Sequence, residues 1–111
     1  MNNFYLSKHF LRQLKPLIKK YRRLKNDLIS VLKNFDKETS IALGNNLYKI
    51  RIKNSNIRKG KNKSFRLIVF VWQNKNTLVP IVIYFKGDKE NISKKELVYH
   101  VSVILNEIKN Q

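Results

Sequence analysis

Apolar positions follow two periods along the chain, and the switch between them divides it. Leu14, Leu17, Ile18, Tyr21, Leu24, Leu28, Val31, Leu32 and Phe35 recur at three- and four-residue spacings, the stripe of an amphipathic helix. Ser7, just before KHFLRQLKPLIKKY, has the chemistry of an N-cap. Pro16 lies inside that segment and predicts a kink or break, because it lacks the N–H an interior helical position needs. Two helical stretches therefore follow a short first strand, NFYL, and carry a basic back of Lys15, Lys19, Lys20, Arg22, Arg23 and Lys25. FDKETSIALGNN reads as a turn region.

Beyond it the period becomes two. In LYKIRIK, Tyr48, Ile50 and Ile52 alternate with Lys49, Arg51 and Lys53, the mark of a half-buried strand. NSNIRKGKNK reads as a loop, SFRLIVFVW as a strand, QNKN as a hairpin turn and TLVPIVIYF as a further strand. The last is continuously apolar, which predicts an interior place in the sheet, and its Pro80 predicts a bulge or an unpaired position. SKKE supplies a capping box, with Ser93 as cap and Glu96 at the third helical position. A final helix follows, with Leu97, Val101, Ile104, Leu105 and Ile108 as its core stripe. The order predicts an α+β domain: a compact, mostly antiparallel sheet with an N-terminal helical hairpin and a C-terminal helix.

Composition narrows the function. The 111 residues suit a single domain, 1–111, with one modest core. Twenty-four Lys and Arg stand against seven Asp and Glu, a formal charge of +17, which points to a polyanionic partner. The absence of cysteine removes disulfides, thiolate zinc sites and cysteine nucleophiles. The start, MNNFYLSKHF, lacks a signal-peptide core, and LIVFVW and LVPIVIYF are too short to cross a bilayer. A soluble cytoplasmic protein without membrane association is expected.

The cations are ordered as well as numerous. Lys49, Arg51 and Lys53 share one strand face, spaced by about 6.6 Å per two residues, comparable to neighbouring phosphates on an extended RNA strand. Arg58, Lys59, Lys61 and Lys63 follow in the loop, Arg66 opens the next strand, and Lys86 and Lys89 flank the end of the last one. One alternating lysine would be an ordinary solvated face; three in register beside a basic loop favour a polyanion groove. Tyr48, Phe65, Trp72, Tyr84 and Phe85 lie near them, mostly as core and at most one as a base-stacking platform.

Acid–base candidates are sparse. No pair among Asp27, Asp36, Glu38, Asp88, Glu90, Glu96 and Glu107 has the spacing of a metal or glycosidase site, and no serine sits in a nucleophile elbow. Neither metal nor cofactor is expected. RNA can be cut without either. Its own 2′-hydroxyl attacks the phosphorus, while the protein orients it and stabilises the phosphorane charge, work that lysine and arginine can do. A lysine crowded by other cations also has its charged form disfavoured and can serve as a base.

LYKIRIKNSNIRKGKNKSFRLIVFVW followed by VPIVIYFKGDKENISKKEL resembles the RelE/ParE superfamily of type II toxin–antitoxin toxins, nearest its RelE/HigB-like branch. FLRQLKPLIKKYRRLKNDL is similar to the helical hairpin of that branch, so the resemblance spans nearly the whole chain. It implies a microbial-RNase-like fold with a basic concave sheet face, and mRNA cleavage on the ribosome through the 2′-hydroxyl. Lys49 and Arg51 match the paired cations of the family's YKIKL-like strands, and Arg66 the arginine opening the next strand. The resemblance gives Lys49 or Arg51 proton abstraction and substrate orientation, and Arg66 phosphate stabilisation. Lys86, or alternatively Lys89, binds phosphate or stabilises the leaving group. Some members carry a Tyr or His after the last basic residue. Here DKENISKKEL has neither until Tyr99, which leaves Tyr84, Tyr99 and His100 as candidate acids. An acidic antitoxin, mRNA and the ribosome are the implied partners of a toxin expected to be monomeric when free. The alternatives are a ParE-like inhibitor of DNA gyrase and a non-catalytic basic RNA- or ribosome-binding domain.

Overall fold

The computed structural model describes residues 3–53, 64–89 and 91–111. A two-residue strand, β1 (Asn3–Phe4), leads into helices α1 (Lys8–Lys20) and α2 (Leu24–Lys33). After a short 3-10 turn at Lys37–Thr39 come β2 (Ile41–Gly44), β3 (Leu47–Ile52), β4 (Phe65–Trp72) and β5 (Thr77–Phe85), then α3 (Lys94–Lys109). The strands form one sheet in the order β1-β5-β4-β3-β2, antiparallel except where β1 runs parallel to β5. Among the described residues no helix is long and apolar enough to cross a membrane.

Two expectations from the sequence need correction. Helix α1 continues through Pro16 and ends at Tyr21, where the backbone turns extended; the break lies five residues later than the proline. SIALGNN is also more than a turn, because Ile41–Gly44 pairs with β3 as an edge strand. Asn45 and Asn46 both take positive φ, 55° and 62°, as a two-residue type I′ hairpin loop requires. The bulge expected at Pro80 is present: Ile68 pairs with Val82 and Val69 with Pro80, leaving Ile81 as the extra residue on β5.

Each sheet face buries its own cluster. Leu67, Val69 and Val71 of β4 and Leu78 of β5 pack against Phe10, Leu14, Leu24, Leu28 and Leu32 of the helical hairpin. The opposite face buries Ile68, Val79, Ile81 and Val82 under α3, whose one fully buried residue is Ile104. Leu105, expected in the α3 stripe, is 43% exposed. Because β1 is short, the outer edge of β5 runs past it. Gln13 of α1 covers that edge, donating from Nε2 to the Ile81 carbonyl at 3.0 Å and accepting the Ile83 N–H at 3.2 Å.

Helix α3 is clasped to α1 by polar contacts. Helix α1 has no acid in its first turn, and Glu107 of α3 supplies one, accepting the Lys8 N–H at 3.0 and 3.1 Å and the Tyr5 hydroxyl at 2.8 Å. Nearby, His9 Nε2 and His100 Nδ1 are 2.7 Å apart. Burial lowers both imidazole pKa values; Arg12 lowers that of His9 further while Glu107 raises it. His9 and Lys89 lower that of His100 while Glu96 raises it. The folded state therefore binds these protons more weakly than the unfolded chain does. Their stabilisation is complete above the ordinary value of 6.5 and is lost as pH falls from there through the lowered folded values. The thermal midpoint is expected to hold above that value and fall below it. His9→Gln should flatten the dependence in that window, and an unchanged slope would show that the pair does not couple to folding. Glu96 and Glu107, held below their ordinary 4.5, stabilise the fold fully above that value and lose this contribution only as pH falls below it.

Candidate polyanion-binding site

The ladder that builds the sheet also assembles the cations. Arg51 pairs with Arg66, and Arg66 pairs with Tyr84, so one rung crosses β3, β4 and β5. Directly paired residues share a face, and Lys49, two positions from Arg51, shares it too. It is the face that carries α3. Ile68 and Val82, on the Lys49 rung, are already in the apolar cluster with α3, whereas Arg51 is exposed and Arg66 half-buried. The arginines thus stand where the helix stops covering the sheet. Beyond the ladder's end, the next residues out on the three strands are Lys53, Ser64 and Lys86, with the Lys86 N–H donating to the Ser64 carbonyl at 3.0 Å.

Like charges paired directly across strands repel. Burial lowers the Arg66 pKa and Arg51 lowers it further, while Tyr84 opposes the change. The guanidinium donates to Ser64 Oγ, and Lys49 Nζ donates to Asn91 Oδ1 at 2.9 Å. Lys89 forms an ion pair with Glu96, which also accepts from Ser93 Oγ at 3.2 Å. That hydrogen bond from Lys89 is the chief cause holding the Glu96 carboxyl below its usual range. An anion among Arg51, Arg66 and Lys49 would relieve the repulsion, so the arrangement suits a phosphodiester.

Lys49, Arg51 and Arg66 are therefore brought together, with Lys53 and Lys86 at the same end of the sheet. Arg58, Lys59, Lys61 and Lys63 lie outside the described residues. Of the proposed stacking aromatics, Phe65, Phe85 and Tyr48 pack on the opposite face with the helical hairpin, and Trp72 sits at the far end of β4. Tyr99 stacks edge-on against His9 at 5.9 Å, with His100 beside it. A separate groove of about 780 Å³ runs between α3 and the β2–β3 edge, lined by Leu43, Leu47, Phe70, Leu97 and Val101; Lys49 borders it, as does Lys94. No group of three or more His, Asp or Glu suited to a metal ion occurs among the described residues.

Asn91 and Ser64, which orient Lys49 and Arg66, were not foreseen. Asn91 lies 42 positions from its partner and carries no local signal. Ser64 is two residues from Arg66, and the alternation of an extended segment, which sets both on one face, was the available hint.

Solved structures share this architecture. A double arginine-to-alanine variant of the E. coli toxin RelE in the free state matches with a TM-score of 0.58 at 20% identity, over 89% of this chain and 96% of that one. A chain of the intact E. coli RelBE toxin–antitoxin complex matches with a TM-score of 0.52 at 22% identity, over 73% of this chain and 92% of that one. No protein-family model and no curated protein sequence matches. Among the described residues, three α-helices and a five-stranded, mostly antiparallel sheet make this an α+β fold of the RelE type.

Proposed function

We propose that the chain is the toxin of a type II toxin–antitoxin pair and cuts mRNA on the ribosome. The observation that carries this is the rung Arg51–Arg66, with Lys49 on the same face, Arg51 exposed and Arg66 half-buried. The fold shared with a RelE toxin supports it, as does a charge of +17. In this reading Arg51 and Arg66 grip the scissile phosphate. Lys49 or Arg51 orients the 2′-hydroxyl and takes its proton as the oxygen attacks phosphorus. Arg66 neutralises the charge that builds on the phosphorane, and Lys86 supports the departing 5′-oxygen. Lys53, Arg58, Lys59, Lys61, Lys63 and Lys89 are the cations proposed to follow the RNA backbone. The attacking hydroxyl belongs to the substrate, so this chemistry calls for no metal or cofactor. An acidic antitoxin is the partner that charge complementarity favours.

Brief induction in a bacterium, with mRNA ends and plasmid supercoiling mapped together, tests the reading. Cuts in register with codons on translated messages are expected. Gyrase-linked DNA damage instead would replace the nuclease with a gyrase inhibitor, and neither effect would leave a cationic binding domain.

A further inference from the structure

Tyr84 is 8% exposed, and its hydroxyl is the one buried side-chain polar atom among the described residues that has no hydrogen-bond partner. A buried hydroxyl without a partner weakens the fold, and phenylalanine would fill the same volume without that cost. The ring stands directly across from Arg66 on the cation face of the sheet. Arg66 and Lys89 both act on it electrostatically, and both are engaged elsewhere, Arg66 with Ser64 Oγ and Lys89 with Glu96.

We infer that the Tyr84 hydroxyl is a catalytic hydrogen-bond donor held in reserve for the scissile phosphate, contacting a non-bridging oxygen once the anion draws the Arg66 guanidinium away from Ser64. The inference rests on the nuclease reading and adds a residue to it. Burial raises the phenol pKa, and the opposing pull of Arg66 and Lys89 does not restore it. The hydroxyl therefore keeps its proton at neutral pH. That suits a donor to the charge developing on phosphorus and rules out Tyr84 as the base that takes the 2′ proton. No proton changes hands; the contact strengthens as the oxygen becomes more negative.

Tyr84→Phe separates this role from a structural one, because the two predict opposite stability. The test is thermal unfolding of the free protein together with single-turnover cleavage of mRNA on saturating programmed ribosomes. The variant is expected to melt at or above the wild-type temperature while its cleavage rate falls roughly 100-fold, as when one oxyanion donor is removed. The half-saturating ribosome concentration should not change. Wild-type cleavage by the variant would overturn the inference and leave the nuclease reading standing. A lowered midpoint alongside slower cleavage would also overturn it, by assigning the hydroxyl to the fold. If the wild-type protein itself cuts no RNA, the nuclease reading fails first and this inference with it.

Discussion

Arg66→Ala is expected to abolish growth arrest and cut mRNA cleavage by about 10³-fold, with the fold intact. The guanidinium is half-buried, in register with Arg51, at the point where α3 uncovers the sheet. Partial burial makes it a stronger partner for a phosphorane than an exposed cation. The same surroundings make it a poor contributor to stability. It faces a like charge and is desolvated, and its bond to Ser64 offsets these only in part. The melting temperature of the variant should therefore stay close to wild type. Arg66→Lys keeps the charge but loses the planar fork, so partial activity is expected. Growth arrest and cleavage measured on both variants decide the matter. A fully toxic Arg66→Ala would place the chemistry elsewhere on the molecule.

Most of the fold was legible where burial is one-sided. In β3, Tyr48 and Ile50 face the helical hairpin while Lys49 and Arg51 face away, so alternation revealed both the strand and the cation row. Pro80 disclosed the bulge because a missing N–H must fall where the ladder is interrupted. Ser93 and Glu96 formed the box their spacing predicts. Strand β2 stayed hidden because it buries neither face, with Ile41 63% exposed. Its only cue was the pair of asparagines in the turn. No break falls at Pro16, because the tertiary packing of Phe10 and Leu14 on one side and Leu17 and Ile18 on the other holds the helix together across it. Glu107 at the α1 N-terminus, Gln13 on the β5 edge and the His9–His100 contact all join residues at least 68 positions apart. No local pattern encodes such pairs. For the candidate site, the row of Lys49 and Arg51 and the arginine opening the next strand were legible, but the register that pairs Arg66 with Arg51 and the unpaired Tyr84 hydroxyl could be found only in three dimensions.

Phe65→Ala is expected to fail in the opposite way from Arg66→Ala, although the two residues are adjacent. Strand alternation sends Phe65 into the helical-hairpin core, where it is fully buried. Its ring meets Tyr21 edge-on at 5.1 Å and lies 5.3 Å from Phe85. Truncation removes both aromatic contacts and opens a cavity, for a loss of about 3–5 kcal/mol. Small domains commonly have only 5–15 kcal/mol in total. At the usual sensitivity of a domain this size, the melting temperature should fall by something on the order of 20 °C. Ile52 and Phe85, the cross-strand neighbours of Phe65, end the ladder rung next to Arg51, Arg66 and Tyr84. Activity is thus lost through unfolding, with no change in the chemistry. The two failures separate on cooling. A well-refolded Phe65→Ala population at low temperature should recover most of its cleavage, measured against wild type at the same temperature, because its cations return to register. Arg66→Ala should remain inactive however cold the assay, since folding restores no guanidinium. Only a small drop in melting temperature for Phe65→Ala, or no recovery on cooling, would mean that the support for the cation row lies in other contacts than this ring.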